Sequence, residues 1–336
     1  MDILNALVAF ANYVVVPATA YGAQLALGAL GVTLIYGILR FSNFAHGETM
    51  AFGAMTSVAL TAAFQAIGIT LGPLPTALLA LPFAILATAG LVLFTDRFIY
   101  RFYRRVKAAP VMLVIVSMGV MFVMNGVVRM FIGTEERIFT DGARFLITAP
   151  DFKEWSGLNE GLAIRSTQAI TLVTAVIVVA VLFWFLNRTR TGKSMRAYSD
   201  NEDLALLSGI NPERVVTITW IIVAALAAVA GTLYGLDKKF QPIIFMHLLL
   251  PIFASAIVGG LGSPIGAIAG GFVVAFSEIT LTYAFKKVVG YLGPQDWAPD
   301  GLLQLLSTDY KFAVSFAILI IVLLFKPTGL FKGKSV

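Results

Sequence analysis

The 336-residue chain has no cysteine, only two histidines, and charged residues at 12% of its positions. Lacking cysteine, it cannot form disulfides, thiolate nucleophiles or Cys-based zinc and iron–sulfur sites. The two histidines, His46 and His247, have no ligand partner at i, i+4 spacing, so no metal and no cofactor is expected. Charge is scarce: a water-soluble chain carries about 25% charged residues. What fills the space is apolar, with 59% hydrophobic residues and a mean hydropathy of +0.89. A soluble core could not hide that much apolar surface, so lipid is the solvent for much of the chain. The net charge of +6 does not point to nucleic acid, because the basic residues sit in short clusters between apolar runs, as cytoplasmic loops do. The opening MDILNALVAFANYVVV lacks the basic start of a cleaved signal peptide. It reads as mature sequence, either an interfacial stretch or the lead-in to the first span.

Other absences narrow the function. There is no internal repeat, no low-complexity tract and no hydrophilic stretch long enough for an independent soluble domain. Thr191-Gly192-Lys193-Ser194 looks like the end of a phosphate-binding loop, but that motif needs glycine at position 187, where Asn stands, and a preceding strand. Any ATP-driven step therefore requires another subunit. A membrane enzyme would need a nucleophile–base pair or a metal cluster on one face, and none is visible.

Runs of about 20 apolar residues occur at 20–39, 46–68, 74–95, 110–132, 168–187, 215–236, 242–260, 264–285 and 311–326. The run 242–260 contains Pro242, Pro251, Gly259 and Gly260 and could be re-entrant, so eight or nine crossings are expected in an all-α polytopic bundle that forms a single domain over 1–336. Basic residues segregate to 96–107 (Arg97, Arg101, Arg104, Arg105, Lys107), to 188–214 and to the tail (Lys326, Lys332, Lys334). Acidic residues gather in 133–167 and 288–310. With basic loops inside, nine crossings place the N-terminus outside and the C-terminus in the cytoplasm, with 133–167 and 288–310 as outer loops.

Segment 194–214 reads as a short connector helix. Ser199 and Glu202 form an S-x-x-E capping box, Glu202 and Asp203 supply a charged start, Leu204, Leu206 and Leu207 an apolar face, and Gly209 a stop. Asn211 and Pro212 then cap and open the next span. It is either an ordinary interfacial connector or a peg that docks into a cytoplasmic partner. Polar groups within spans are costly in hydrocarbon and invite a functional reading. They are Gln24, Asn125, Arg129, His247 and Glu278. Arg129 can snorkel to the nearer surface, Asn125 can bond between helices, and Glu278 must face protein or water, at a pathway, at a subunit interface or in an ion pair. His46 and Glu48 are expected at a cytoplasmic helix start, where Glu48 suits the macrodipole. Gly262, Gly266 and Gly270 form consecutive G-x-x-x-G steps for close helix packing.

Several motifs carry a resemblance. The run Asn43-Phe44-Ala45-His46-Gly47-Glu48 after Tyr36-Gly37-Ile38-Leu39 resembles the signature of LivH-type permeases of branched-chain amino acid ABC importers. Ser208-Gly209-Ile210-Asn211-Pro212-Glu213-Arg214-Val215 resembles that family's coupling region, and the small-residue helix Ala224–Gly231 follows it. Val258-Gly259-Gly260-Leu261-Gly262-Ser263-Pro264-Ile265-Gly266-Ala267 resembles its late glycine-rich motif, and the closing Phe325-Lys326-Pro327-Thr328-Gly329-Leu330-Phe331 also fits. The resemblance covers 36 to 331. It implies an ABC importer permease bundle in the inner membrane, paired with a second related permease subunit, two ATP-binding subunits and an extracytoplasmic substrate-binding protein. Segment 194–214 would then be the ATPase-coupling segment, and Asn43, His46, Glu48, Asn125 and Glu278 pathway or gate residues. A permease for urea or short amides, or a stand-alone secondary carrier, is the alternative. Secondary carriers often carry broken helices in both halves, and here only 242–260 is interrupted.

Overall fold

The computed structural model describes residues 2–139, 141–292 and 303–331; the tail lysines Lys332 and Lys334 and the middle of the expected outer loop 288–310 lie outside them. The described chain is a helical bundle. Its helices are α1 (Asp2–Leu39), α2 (His46–Ala66), α3 (Ala77–Arg105), α4 (Pro110–Ile132), α5 (Ala149–Ser156), α6 (Ser166–Arg188), α7 (Arg190–Asp200), α8 (Glu202–Leu207), α9 (Pro212–Asp237), α10 (Pro242–Gly259), α11 (Pro264–Thr282), α12 (Lys286–Leu292) and α13 (Lys311–Phe325). A two-stranded antiparallel ribbon, β1 (Phe145–Ile147) with β2 (Ile164–Arg165), flanks α5. Eight of these helices, α13 taken with its leading turn from Thr308, are long and apolar enough to cross a membrane. Those eight do not include α2, whose first turn carries His46, Glu48 and Thr49.

At 38 residues, α1 is about 57 Å long, nearly twice the hydrocarbon thickness of about 30 Å. The opening residues are therefore the lead-in to the first span. Pro17 has no N–H for the carbonyl one turn back, and the chain answers with a π-helical turn, Ala11–Val15, directly before it. The extended N-terminal part is held at the bundle end that carries 133–167. Asn5 Oδ1 accepts from the backbone N–H groups of Asn159 and Glu160 at 3.0 and 3.2 Å, and Asn12 Oδ1 accepts from Ala163 N–H at 2.9 Å. Glu160 in turn meets Lys287 and Tyr291 of α12.

The other end gathers 96–107 and 188–214 and is called the basic end below. Two expectations change there. The stretch from Asp96 is not a loop, because α3 continues through a π-helical turn, Asp96–Tyr100, to Arg105. The capping box is also reassigned. Ser199 lies inside α7, where its hydroxyl donates to the Gly37 carbonyl at 3.0 Å, and the cap of α8 is Asn201, whose Oδ1 accepts from Leu204 N–H at 3.0 Å. The expected stop Gly209 adopts φ +80°, and Asn211 caps α9 through Arg214 N–H.

Close packing runs through small residues, because lipid tails are as apolar as leucine and reward only van der Waals fit and polar bonds. A side chain at Gly266 would strike the Gly259 carbonyl, and one at Gly270 the Ser255 carbonyl, so both glycines seat α11 on α10. Gly262 does not share that role. It faces open space at φ +84° and makes the turn between the two helices. Pro251 interrupts α10 without ending it, and the helix is long enough to cross. Gly192, from the broken nucleotide motif, has the Phe185 carbonyl where a Cβ would stand, which seats α7 on the end of α6.

Candidate functional site

The chain turns back sharply after α1. Arg40 takes the left-handed conformation, φ 58°, and its guanidinium donates to the Ser199 carbonyl at 2.7 Å. Residues 41–45 then climb back into the bundle, so that α2 starts beside Gly28 and Gly31 of α1. Those glycines lie about 12–16 Å from the end of α1 at 1.5 Å per residue. His46 and Glu48 do open a helix, as expected, but that start lies inside the protein, where the two are 0% and 1% exposed. His46 Nε2 lies 3.0 Å from the Gly28 carbonyl, and since a carbonyl only accepts, Nε2 carries the proton. A Cβ on Gly31 would overlap the imidazole, so glycine is required there for the ring to fit.

Two turns of polar contacts surround this start. Asn125 of α4 donates to Glu48 Oε1 at 2.9 Å, and Arg129, one turn further along α4, brings a positive charge near the carboxylate. Among the described residues, Glu48 Oε2 and His46 Nδ1 are buried with no hydrogen-bond partner. Asn43 Oδ1 accepts from Ala45 N–H and from the Tyr100 hydroxyl, both at 3.1 Å. The structure thus brings Asn43, His46, Glu48 and Asn125 together. Asp96, Tyr100 and Trp220, which sequence reading missed, hold the same segment from the basic end. Asp96 accepts from Arg104 at 2.5 and 3.1 Å and from Trp220 Nε1 at 2.7 Å, and Trp220 stacks on Tyr100 with centroids 5.3 Å apart. In sequence, Asp96 looked like one acid diluted in a basic loop; only the continuation of α3 turns it inward.

Glu278 lies apart from that cluster. It is 1% exposed, receives the Ser315 hydroxyl of α13, and shares its surroundings with Tyr21, Tyr234 and Lys311. Among the described residues its Oε2 has no hydrogen bond of good geometry. Gln24 Nε2 donates to the Leu233 carbonyl at 3.4 Å, joining α1 to α9. His247 stacks on Phe312, centroids 6.1 Å apart, on an exposed face. Among the described residues no group of three or more His, Cys, Asp or Glu could hold a metal ion.

At the basic end α8 packs one small residue inward, Ala205, and turns its large ones out. Leu204 is 61% and Leu207 85% exposed, with Leu206 and the acids Glu202 and Asp203 also exposed. Tyr198 of α7 donates to Glu202 Oε1 at 2.6 Å. Burial pushes its phenol up, and the Glu202 carboxylate adds to the shift, so the pair stays hydrogen-bonded across neutral pH.

Comparison with known proteins adds an independent line. Residues 15–323 match the family described as "Branched-chain amino acid transport system / permease component". The high-affinity branched-chain amino acid transport system permease protein LivH of Escherichia coli is 32% identical over 92% of this chain and 91% of its own. BraD of Pseudomonas aeruginosa, of the same description, is 30% identical over 92% of both chains. A probable LivH permease of Methanocaldococcus jannaschii is 28% identical over 92% of this chain and 89% of its own. A match that runs through eight membrane-length helices, the buried His46–Glu48 start and the glycine-seated α10–α11 pair leaves one assignment: the chain is a multi-pass membrane protein that belongs to the permease component family of branched-chain amino acid transport systems.

Proposed function

We propose that this permease moves branched-chain amino acids across the inner membrane as one of a pair of related permease subunits. Two ATP-binding subunits drive it from the basic end, and an extracytoplasmic binding protein delivers substrate at the other. Transport proceeds by alternating access, in which a partner's nucleotide state biases two arrangements of one bundle. In this reading the basic end and the C-terminus are cytoplasmic, 194–214 is the coupling segment, and 133–167 with 288–310 form the outer face. The family match over residues 15–323 carries the reading.

Two features support the roles of particular residues. A helix that leaves Leu204 and Leu207 in water is costly unless a partner covers them, so α8, with Glu202, Asp203, Leu206 and the Gly209 turn, docks on an ATP-binding subunit. Asn43, His46, Glu48 and Asn125 form a polar seam in an otherwise apolar interior, suited to a gate beside the passage. Glu278 supplies a second polar point near the opposite end, and an aliphatic zwitterion needs an apolar passage with few polar anchors. The test is reconstitution of the complete complex in vesicles. Leu204→Asp with Leu207→Asp is expected to leave the chain inserted and ATP hydrolysis running while leucine uptake falls at least tenfold. Uptake equal to wild type in that double variant would remove α8 from the coupling role, and uptake of urea in place of leucine would overturn the substrate.

A further inference from the structure

Between α1 and α7 at the basic end lies a half-open cleft of about 190 Å³, smaller than the usual 300–1,000 Å³ ligand pocket and suited to a single small solute. Its wall is apolar: Leu34 and Ile38 from α1, Leu186 from α6, Met195 from α7. Two polar features stand against that wall. Thr33, 1% exposed, is one of the lining residues, and among the described residues its buried hydroxyl has no hydrogen-bond partner. Arg196 lines it as well, with Nη1 donating to Asn187 Oδ1 at 3.0 Å, and a guanidinium has five N–H donors in a fork matched to a carboxylate. Asp200, one turn further along α7, lines the same mouth.

We propose that this cleft is a binding site for a small branched aliphatic carboxylate, the amino acid or its oxo acid, on the cytoplasmic side of the permease. Occupancy brakes the transport cycle. The aliphatic group fills the apolar wall, the carboxylate meets Arg196, and the Thr33 hydroxyl gains the partner it lacks. The position gives the effect. The cleft sits in the joint that the Ser199–Gly37 and Arg40–Ser199 bonds already hold, and α7 leads directly into α8. A ligand that bridges α1 and α7 stabilises the arrangement in which they touch, and such preference for one arrangement is what shifts a two-state equilibrium. The solute that accumulates on that side would then slow its own import. The choice of ligand and the sidedness rest on the proposed function; the cleft does not.

The experiment uses the full complex with its ATP-binding subunits and binding protein in vesicles, with ATP on the basic-end side. That side also receives leucine, 4-methyl-2-oxopentanoate, or neither. Leucine is expected to lower both initial uptake and ATP hydrolysis at least threefold, saturably, and the oxo acid to do likewise. In Leu34→Phe, which fills the cleft, and Arg196→Gln, which removes the surface charge, the ratio of loaded to unloaded rates should return to near one. Equal rates with and without leucine in the wild type, or an undiminished brake in both variants, overturns the site. Equilibrium dialysis of labelled leucine against the complex without its binding protein reads the cleft directly. Binding that Arg196→Gln abolishes supports the site even if uptake from the binding protein fails, and absent binding refutes it even if uptake succeeds.

Discussion

Helices α1 and α13 are both apolar enough to span a membrane, yet 89% of the most apolar stretch of α1 is buried in the protein against 11% for α13 with its leading turn. Hydropathy does not separate them; side-chain size does. Most of the buried part of α1 is small residues, with Gly22 against Phe272, Gly28 against Ile252 and Gly31 against His46. α13 is mostly Leu, Ile, Val and Phe, with Ile320, Ile321, Leu324 and Phe325 exposed. In lipid a leucine gains little by turning inward, so helices that let backbones approach closely take the centre and bulky ones take the rim.

The comparison can be broken at several points. The largest effect is expected from Gly31→Leu, which needs the volume of the His46 ring. Overpacking costs about 1–3 kcal/mol and more where nothing can yield, so the purified permease should lose at least 10 °C of melting temperature or fail to elute as a folded species. Retained stability would show that α2 can back away from α1. Next, Asn125→Leu removes the bond to Glu48 at about 1 kcal/mol, with leucine uptake lowered more than stability, since the carboxylate loses its partner. An unchanged uptake rate would reduce the Glu48–Asn125 pair to a strut. The smallest effect is expected from Ile320→Ala on the rim, within about 0.5 kcal/mol and without change in uptake. If that substitution matched Gly31→Leu in a melting curve, α13 would be covered by protein and the size rule would fail.

Much of the fold was legible because membrane insertion writes itself into composition. Apolar runs of the right length located most helices to within a few residues, though α1 begins 18 residues before its run and α3 continues 10 residues past its run, and the Gly/Pro-interrupted run proved to be a full-length helix. Two errors share a cause. Asp96 was read as loop and Ser199 as a cap because local pattern assigns helix ends from neighbouring residues alone. A π-helical turn carried α3 onward, and a distant carbonyl, Gly37, claimed the Ser199 hydroxyl. His46 and Glu48 were recognised as a helix start, but its depth was not legible, since nothing in residues 40–45 announces that the chain doubles back into the bundle. Gly262 was grouped with Gly266 and Gly270 by spacing, and its positive φ separates it.

By itself the amino-acid sequence determined that this chain lives in lipid, that it crosses many times and which segments are basic, because those properties are sums over residues. The tertiary structure alone decided which apolar helix is core and which is rim. It placed the polar start of α2 beside Gly28 and Gly31, turned Asp96 toward Trp220, and opened a cleft between α1 and α7. Each of these depends on contacts between segments far apart in the chain, where the fit of one surface to another has no local signature.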